Sequence, residues 1–377
     1  MGQIHQMILT QGVEHAKAYN SDAIGRQCVE TAFAVMSDTE QRLGFMHAGF
    51  AMAALPHRST QDLVWIRQRA NVRLKVESGT DARDRPVGLP YGAIARVVLL
   101  YLQTRAVQTR SREIELGRSM RLWLTSMGLN TGGENYRLVR EQARRLSLCR
   151  LTFYNVLENA TVVTNGSFVR DAIIPNQDDE AQLSLWQHAI KLDEGFYQSL
   201  IEHPLPLLES AIRQIARRSM AIDTYVWLAY RLHRLDRPVS IGWRALHEQF
   251  GTGFQRVRAF REKFKEPLSL ALAAYPEAIV NIDDDGLRLH PSPPPRRRAI
   301  WWRRHQTPHR LDVWSQSIAA HSSTGRTTPS GKDVYRTDSP PPDWSKLRLG
   351  SDHSSHSTGP SVALRALSGP GQVRGAS

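Results

Sequence analysis

The sequence predicts a mainly helical α+β protein in which a unit of three helices and a β-hairpin occurs twice in tandem. Apolar residues recur at helical spacing through most of the first 290 residues. The order apolar helix, short helix, basic helix and hairpin appears twice, and the two copies start about 130 residues apart. The last 87 residues carry no periodic apolar pattern. Two tandem domains between a helical N-terminal region and a disordered tail are therefore expected.

Residues 1–60 are predicted to form the N-terminal helical region. Ile24, Cys28 and Val35 lie at helical spacing within the predicted helix 22–36. No apolar run reaches the roughly 18–20 residues of a membrane span, and the N-terminus lacks the basic segment of a secretory signal. Two cysteines are too few for a disulfide scaffold or a cysteine-rich zinc fold. These features predict a cytoplasmic protein with no membrane association.

The first domain is predicted over residues 61–176. Its expected elements are a strand over 72–76, a helix opening at 89–91, helices over 114–127 and 134–148, and strands over 151–156, 161–164 and 167–174. Ile94, Val97, Val98, Tyr101 and Leu102 predict one apolar stripe on the first of these helices. The dipeptide at residues 165–166, Asn-Gly, is a strong hairpin turn signal.

The second domain is predicted over residues 177–292. Its expected elements are a strand over 182–189, helices over 193–202, 207–217, 219–235, 243–250 and 254–273, and strands over 278–282 and 287–290. Ser240 is expected to cap the helix that starts at Trp243, and Pro267 to kink the last helix. The turn of the final hairpin is expected at residues 285–286, Asp-Gly.

The repeated order is what a pair of winged-helix domains would show, with the third helix as the recognition helix and the hairpin as the wing. Any α+β protein can contain three helices and a hairpin, so a single copy would be weak support. Two copies in the same order, each with a basic third helix, favour the winged-helix interpretation over that alternative.

The first candidate recognition helix places an apolar stripe on one side and arginines at i, i+3 and i+7 on the other. Arginine can bind guanine through two hydrogen bonds, and asparagine can do the same for adenine. The predicted DNA-contacting residues of this helix are Asn135, Tyr136, Arg137, Arg140, Arg144 and Arg145.

The second candidate recognition helix has Val257, Phe260 and Phe264 as its apolar stripe. Its predicted DNA-contacting residues are Gln255, Arg256, Arg258, Arg261, Lys263 and Lys265. The competing interpretation of both helices is a solvated basic face without a ligand. Few acidic residues at i+4, and the position of each helix after a predicted helix-turn, favour DNA.

The two predicted hairpin tips differ in charge. Residues 283–285 are three aspartates, which would repel phosphate, so this wing is not expected to touch the DNA backbone. The first tip is expected at residues 164–167, where a neutral Thr-Asn-Gly-Ser sequence could approach a backbone.

The C-terminal residues 293–377 are predicted to be a disordered, basic, Pro- and Ser-rich tail that begins at the proline run from Pro291. The whole chain carries 49 Lys and Arg against 36 Asp and Glu, a net charge of +13. Residues 291–377 contribute 13 against 5, or +8 of that total. The argument for DNA binding therefore rests on where the first 290 residues place their arginines.

No enzymatic constellation is recognisable in the sequence. The phosphate-binding loop Gly-x-x-x-x-Gly-Lys-Ser/Thr is absent, and no Gly-x-Gly-x-x-Gly follows a strand. His305 and His309 have a metal-compatible spacing but lie in the predicted tail, and the aspartates at 283–285 are better explained as a polar turn than as a cation site. We therefore expect no enzyme activity, no cofactor and no metal.

Several segments together resemble the plasmid-encoded RepA replication initiators of Gram-negative bacterial plasmids. They are Leu55–Arg58, Gly88–Gly92, Leu99–Thr104, Arg110–Ser119, His203–Pro206, Ala221–Leu232 and Gln249–Gly251. The resemblance covers about residues 44–293 and leaves the tail outside.

The resemblance implies a protein of the bacterial cytoplasm that binds repeated sites, the iterons, at a plasmid origin and helps to open the duplex. It further implies recruitment of the host initiator, helicase and other replication proteins, and a homodimer that limits copy number or represses its own gene. It supplies no catalytic residues. A winged-helix transcriptional repressor without origin activity is the alternative, and sequence alone does not separate the two.

Overall fold

The structure of the chain, a computed structural model, describes residues 2–69, 72–115, 117–129, 132–156, 161–172 and 189–295. Its helices are α1 (Gln3–Gln11), α2 (Val13–Tyr19), α3 (Ala23–Met36), α4 (Gly49–Met52), α5 (Gly92–Thr109), α6 (Gly117–Ser126), α7 (Gly133–Leu148), α8 (Glu194–Glu202), α9 (Glu209–Ile215), α10 (Ser219–Leu232), α11 (Trp243–Phe250) and α12 (Val257–Ala273). Its strands are β1 (Leu43–His47), β2 (Val64–Arg69), β3 (Val72–Glu77), β4 (Glu113–Glu115), β5 (Arg150–Val156), β6 (Thr161–Ser167), β7 (Val169–Ala172), β8 (Ala189–Leu192), β9 (Pro204–Leu208), β10 (Val239–Gly242), β11 (Val280–Ile282) and β12 (Gly286–Leu289). The expected mixture of helices and small sheets is present.

The N-terminal helices pack against the second half of the chain. The predicted helix over residues 22–36 is confirmed as α3, and the Asp22 side chain caps it by accepting a hydrogen bond from the Gly25 amide. The His5 ring on α1 lies 2.9 Å from the Ala273 carbonyl at the end of α12. β1, which periodicity did not predict, pairs antiparallel with β9.

The first unit is built from α5, β4, α6 and α7, followed later in the chain by β7 and β8. Strand β4 lies between α5 and α6 and pairs antiparallel with β8, which in turn pairs with β7. The sheet order is therefore β4-β8-β7. Helices α5 and α7 agree in place with the predicted ones. The helix predicted over 114–127 begins only at Gly117, because residues 113–115 pair with β8 as β4.

A second sheet is inserted into this unit. Its order is β2-β3-β5-β6, all antiparallel, so a hairpin before α5 joins a hairpin after α7. Leu74, Val76, Leu151 and Phe153 lie on one face and are buried. Only the second half of the β2–β3 hairpin was expected from alternation.

The predicted turn at Asn165-Gly166 is wrong. Both residues lie within β6, where Asn165 pairs with Thr152 and Gly166 with Leu151. The link between β5 and β6 is instead residues 157–160, which fall outside the described residues. A turn signal is local, whereas the ladder with β5 continues to the pair of Arg150 and Ser167, and this pairing decides the strand. The neutral hairpin tip expected at residues 164–167 is wrong for the same reason.

The second unit repeats the order of the first. Helix α10 is followed by β10, α11, α12 and the hairpin β11–β12, and β12 pairs with both β10 and β11. Its sheet order, β10-β12-β11, matches β4-β8-β7 strand for strand. The final hairpin is confirmed, with its turn between Ile282 and Gly286.

Three boundary predictions in the second unit are wrong. Helix α12 begins at Val257 because Phe254 closes a turn onto the Gly251 carbonyl and Arg256 is extended. Ser240 lies in β10, and Gly242 is the residue before α11. The predicted helix 207–217 shortens to α9, because residues 204–208 pair with β1. Helix α12 continues through Pro267.

The core is centred on α5 and α10, the first helix of each unit. The single apolar stripe predicted for α5 is too narrow, because Ala95–Thr104 are all buried, including Arg96 and Gln103. Helix α10 is buried from Ala221 to Tyr230. Two apolar-rich helices enclosed on nearly all sides identify the centre of the folded structure.

The start of the predicted tail packs on the second unit. The Ser292 amide donates to the Leu232 carbonyl at 3.1 Å, and the Ser292 hydroxyl accepts from the Ile279 amide at 3.1 Å. Tyr275 donates its hydroxyl to the Pro293 carbonyl. The disorder predicted for the rest of the tail concerns residues 296–377, which lie outside the described residues, and the predicted domain boundaries stay predictions.

Candidate nucleic-acid interface

Helix α7 has one buried face and one basic face. Val139, Gln142, Ala143 and Leu146 are buried at 9% exposure or less and point into the first unit. With 3.6 residues per turn, the arginines at positions 137, 140 and 144 project on the opposite side. The helix therefore presents an arginine row to the surface while its apolar side holds it in place.

The six predicted contact residues of this helix differ in their exposure. Asn135 and Arg137 are exposed in its first half, and Arg140 and Arg144 are half-buried further along. Arg145 turns inward, as described below. The side chain of Tyr136 lies outside the described residues. The DNA-contact role of all six stays a prediction.

Arg145 is held by the protein. Its Nε donates to the Glu141 carboxylate at 2.6 Å and its Nη1 to the Leu89 carbonyl at 3.0 Å. Its guanidinium also lies 5.2 Å from the centre of the Tyr91 ring. Gln142 assists by accepting a hydrogen bond from the Tyr91 amide at 2.8 Å. These contacts hold the start of α5 against α7, so Arg145 has a structural role.

A loop beside α7 carries two further arginines. Residues 79–88 join β3 to α5, and Arg83 and Arg85 are exposed within it. Asp81 contacts Arg85 at 2.8 Å and, through the same oxygen, Arg144 of α7 at 3.6 Å. The sequence showed this segment only as a loop. One sequence signal for this loop is Asp81, placed two and four residues before Arg83 and Arg85. An aspartate at this spacing can accept hydrogen bonds from the backbone amides of its own loop.

Helix α12 has the same division into a buried and a basic face. Phe260 and Phe264 are fully buried and stack at 4.9 Å between ring centres. Arg258, Lys263 and Lys265 are exposed. Gln255 and Arg256 are exposed as well but precede the helix, so they extend its N-terminal approach.

Acidic side chains neutralise part of the positive charge on the basic face of α12. Arg261 donates to the Asp284 carboxylate at 2.7 Å and lies 5.3 Å from the centre of the Trp243 ring. Lys265 pairs with Glu262 at 3.1 Å. The triple-aspartate turn thus folds back onto the helix, and the Asp283 carbonyl accepts a hydrogen bond from the Trp243 indole at 3.2 Å.

A buried ion pair joins the two units. Arg96 of α5 donates to Asp223 of α10 through Nε at 2.6 Å and Nη2 at 2.7 Å. Its remaining donors reach the carbonyls of Leu55, Pro56 and Gly92. All five N–H groups of this guanidinium are therefore used, at 3% side-chain exposure. We call Arg96 and Asp223 the clasp.

His57 lies against the clasp. Its Nδ1 is 3.0 Å from the Ser219 hydroxyl, and its Nε2 is 3.7 Å from the Asp223 carboxylate. Burial, followed by the charge of Arg96, lowers the pKa of His57 to about 4. The side chain is therefore neutral at neutral pH. Asp223 is engaged by Arg96, so this Ser–His–Asp group is best understood as packing around the ion pair.

Other reactive groups are buried. Burial raises the pKa of Cys28 and of Cys149 to about 12, which keeps both thiols protonated. In the part of the chain that the structure describes, no three His, Cys, Asp or Glu side chains are grouped to hold a metal ion. Across the same ranges, none of the helices is long and apolar enough to cross a bilayer.

Comparison with solved structures gives low-identity matches. A crystal structure of domains 2 and 3 of RctB is 11% identical, covers 64% of this chain and 94% of its own, and has a TM-score of 0.41. A structure of selenomethionine derivatives of the same two domains is 12% identical, covers 58% and 82%, and has a TM-score of 0.39. No curated protein matches the chain.

One family model matches the central part of the chain. The family model described as plasmid encoded RepA protein matches residues 89–244, from the start of α5 to the start of α11. This range holds α7, the clasp and the whole first helix of each unit. This match confirms the resemblance drawn from the sequence: over residues 89–244 the chain is similar to the plasmid-encoded RepA proteins.

Proposed function

We propose that the chain is a plasmid replication initiator that binds repeated sites at the plasmid origin through two winged-helix units. The observation that carries this proposal is the duplicated topology. In each unit the strand after the first helix pairs with the last strand of a hairpin, and the third helix presents a basic face. A third helix beside a hairpin is the arrangement that places a recognition helix in a major groove.

The match of residues 89–244 to the family model of plasmid-encoded RepA proteins supports the role in initiating plasmid replication. The charge distribution supports DNA as the partner, because the basic residues of α7 and α12 lie opposite the buried faces of these helices. Phosphate attraction would supply affinity, and the exposed residues at the start of each helix would supply sequence discrimination.

Two recognition helices on one chain engage two segments of a site without a dimer. Once the first helix is bound, the second binds as an intramolecular event, which raises the overall affinity. Part of this binding energy is available to distort and open the duplex. Host initiator and helicase are the proposed protein partners, and a homodimer is the proposed inactive or autorepressing form. The proposed setting is the bacterial cytoplasm.

A footprint on the DNA that flanks the gene tests the proposal. The full-length chain is expected to protect a series of repeats at regular spacing. The same DNA, joined to a selectable marker, is then expected to replicate only in cells that supply the chain. Protection of repeats without replication would favour the alternative, a winged-helix repressor. Absence of sequence-specific protection would contradict both.

Substitutions on α7 identify the interface. Arg137→Ala with Arg140→Ala is expected to abolish the protected pattern while the protein stays folded by circular dichroism. Arg26→Ala with Arg42→Ala, which removes the same charge from exposed positions of the N-terminal region, is the matched control and is expected to retain it. We further propose that the chain acts by binding and not by turnover, and cleavage of supercoiled plasmid with a divalent cation would contradict this.

A further inference from the structure

The loop between β3 and α5 has a defined fold. The Val87 amide donates to the Gly79 carbonyl at 3.0 Å, and Thr80 and Pro86 form an antiparallel bridge. The Gly88 amide donates to the Ser78 hydroxyl at 2.9 Å. The chain thus enters and leaves this loop, residues 79–88, at adjacent points, and the residues between project together.

Asp81 organises the projecting part. One of its oxygens accepts hydrogen bonds from the amides of Arg83 and Arg85 at 2.9 and 3.0 Å. The other accepts from the Arg85 side chain, with Nε at 2.9 Å and Nη2 at 2.8 Å. Hydrogen bonds from the amides of Arg85 and Arg83 lower the pKa of Asp81 to about 2, so the carboxylate is charged at neutral pH.

The same carboxylate connects the loop to the candidate recognition helix. Its Oδ2 lies 3.6 Å from Nη2 of Arg144 on α7, so Arg85 and Arg144 share one acidic oxygen. The Arg85 side chain is 66% exposed, and Arg83 is exposed beside it. With Asp81 and Asp84 counted, Arg83, Arg85 and Arg144 still leave a net positive charge.

The position of Arg144 along α7 indicates which part of a DNA duplex the arginines at 83, 85 and 144 would contact. At 1.5 Å per residue, Arg137 and Arg144 are separated by roughly 10 Å along the helix axis. The major groove is about 12 Å wide. If the first half of α7 lies in the groove, Arg144 lies near its edge, where the sugar-phosphate backbone runs. The loop then lies over that backbone.

We propose that the loop of residues 79–88 is a second DNA-contacting element of the first unit, in which Arg83 and Arg85 bind backbone phosphates beside the groove that α7 reads. Asp81 is the positioning residue that holds the loop to Arg144. The proposal rests on the proposed function of α7 and adds a phosphate contact whose contribution does not depend on base sequence.

The salt dependence of binding tests the arginines. Full-length Arg83→Gln/Arg85→Gln is titrated against a duplex carrying one protected repeat and against a scrambled duplex, over a series of salt concentrations. Loss of two phosphate contacts is expected to reduce the slope of log affinity against log salt by about 2. Both duplexes are expected to lose affinity by the same factor. An unchanged slope would overturn the proposal.

Two comparison variants separate this proposal from the one on which it rests. Arg26→Gln/Arg42→Gln removes equal charge elsewhere and is expected to leave the slope nearly unchanged. Arg137→Gln/Arg140→Gln is expected to weaken the repeat more than the scrambled duplex. If this α7 variant binds normally, the proposed interface itself is wrong. If it loses specificity while the loop variant binds normally, only the loop proposal is wrong.

A pair of aspartate variants tests the positioning role. Asp81→Asn and Asp84→Asn each remove one negative charge from the same loop, and Asp84 has a left-handed backbone (φ 58°) that asparagine tolerates. Asp84→Asn is expected to bind DNA as tightly as wild type or slightly tighter. Asp81→Asn is expected to bind more weakly despite its added positive charge, because the loop is no longer held to α7. Equal strengthening by both would overturn the role of Asp81.

Discussion

Helices α7 and α12 hold the same place in two topologically equivalent units, yet their basic side chains meet different surroundings. On α7, Arg144 shares the Asp81 carboxylate with an arginine of the neighbouring loop. On α12, Arg261 and Lys265 each have an acidic partner, Asp284 at 2.7 Å and Glu262 at 3.1 Å. The β11–β12 hairpin turns its acidic tip toward α12, while the loop beside α7 adds arginines.

The difference shows that topology and charge are set by different parts of the chain. Strand order decides where the third helix is presented, and nearby acidic residues decide how much of its charge remains for a ligand. Both helices have acidic partners, but the loop beside α7 adds Arg83 and Arg85. We therefore expect α7 with this loop to supply the larger share of the salt-dependent affinity for DNA, and α12 the smaller share.

The comparison of α7 with α12 assumes that the two units have a fixed position relative to each other. The clasp, which joins α5 to α10, holds them in this position. Arg96→Ala leaves the Asp223 carboxylate buried without its partner and is expected to destabilise the fold by roughly 3–5 kcal/mol. Urea unfolding measures this loss. Arg244→Ala, which removes an exposed arginine 3.5 Å from Glu248, is the control and is expected to cost under about 0.5 kcal/mol. A similar small loss for both variants would show that the clasp contributes little.

Low pH is expected to reduce the stability of the fold through His57, which lies against the clasp. The pKa of His57 in the folded state is about 4, below its ordinary value of 6.5, because burial disfavours the charged ring. The unfolded chain therefore binds a proton first, and stability is lost as the pH falls from about 6.5 toward 4. The contribution of His57 is roughly 3 kcal/mol.

Urea unfolding at several pH values measures this loss. His57→Asn is expected to flatten the dependence in that range. Burial also lowers the pKa of His47 to about 3, that of His233 to about 4, and that of His5. These three histidines should maintain a remaining slope, so complete loss of the dependence in the His57 variant would contradict their contribution.

Matched variants on the two third helices test the comparison directly. Arg137→Ala or Arg140→Ala on α7 is expected to weaken specific binding by roughly 1–3 kcal/mol if the side chain contacts a base. Arg258→Ala on α12 is expected to have the smaller effect on salt dependence. Equilibrium titration of one repeat at several salt concentrations measures both. A larger change in slope for the α12 variant would reverse the ranking of the helices.

The smallest effect is expected at the β11–β12 hairpin. Asp284→Asn removes the partner of Arg261 and is expected to strengthen DNA binding by up to about fivefold, as a surface ion pair contributes little. Glu248→Gln removes equal charge from α11 and serves as the control in the same titration. If both variants strengthen binding equally, only net charge matters and the contact between Asp284 and Arg261 has no separate effect.

Prediction from sequence succeeded where a signal is local and periodic. Helices α3, α8 and α11 lie within about two residues of their predicted limits because their apolar spacing is regular, and Asp22 and Asp193 cap the first two. It failed at Asn165-Gly166, where a local turn signal was overruled by pairing with β5, and at residues 204–208, which pair with β1 far away in sequence. No local pattern reports a strand whose partner lies about 160 residues away.

The candidate site shows the same limit. Helical spacing placed Arg137, Arg140 and Arg144 on one face, and the buried face opposite them agrees with this. The inward turn of Arg145 was not visible, because its partners Glu141 and Leu89 come together only when α7 packs on the start of α5. Asp81 was not visible for the same reason.

The sequence by itself determined the order of helices and hairpins, their duplication and the resemblance to the plasmid-encoded RepA initiators, because periodicity and motif segments are properties of neighbouring residues. Tertiary structure alone decided which charges remain at the surface. Arg96 is buried in the clasp, Arg145 is held by Glu141 within α7, and Arg261 pairs with Asp284 of the β11–β12 turn. Arg83 and Arg85 instead lie exposed in the loop beside α7. A charge acts over the few ångströms between side chains, and only the fold sets those distances.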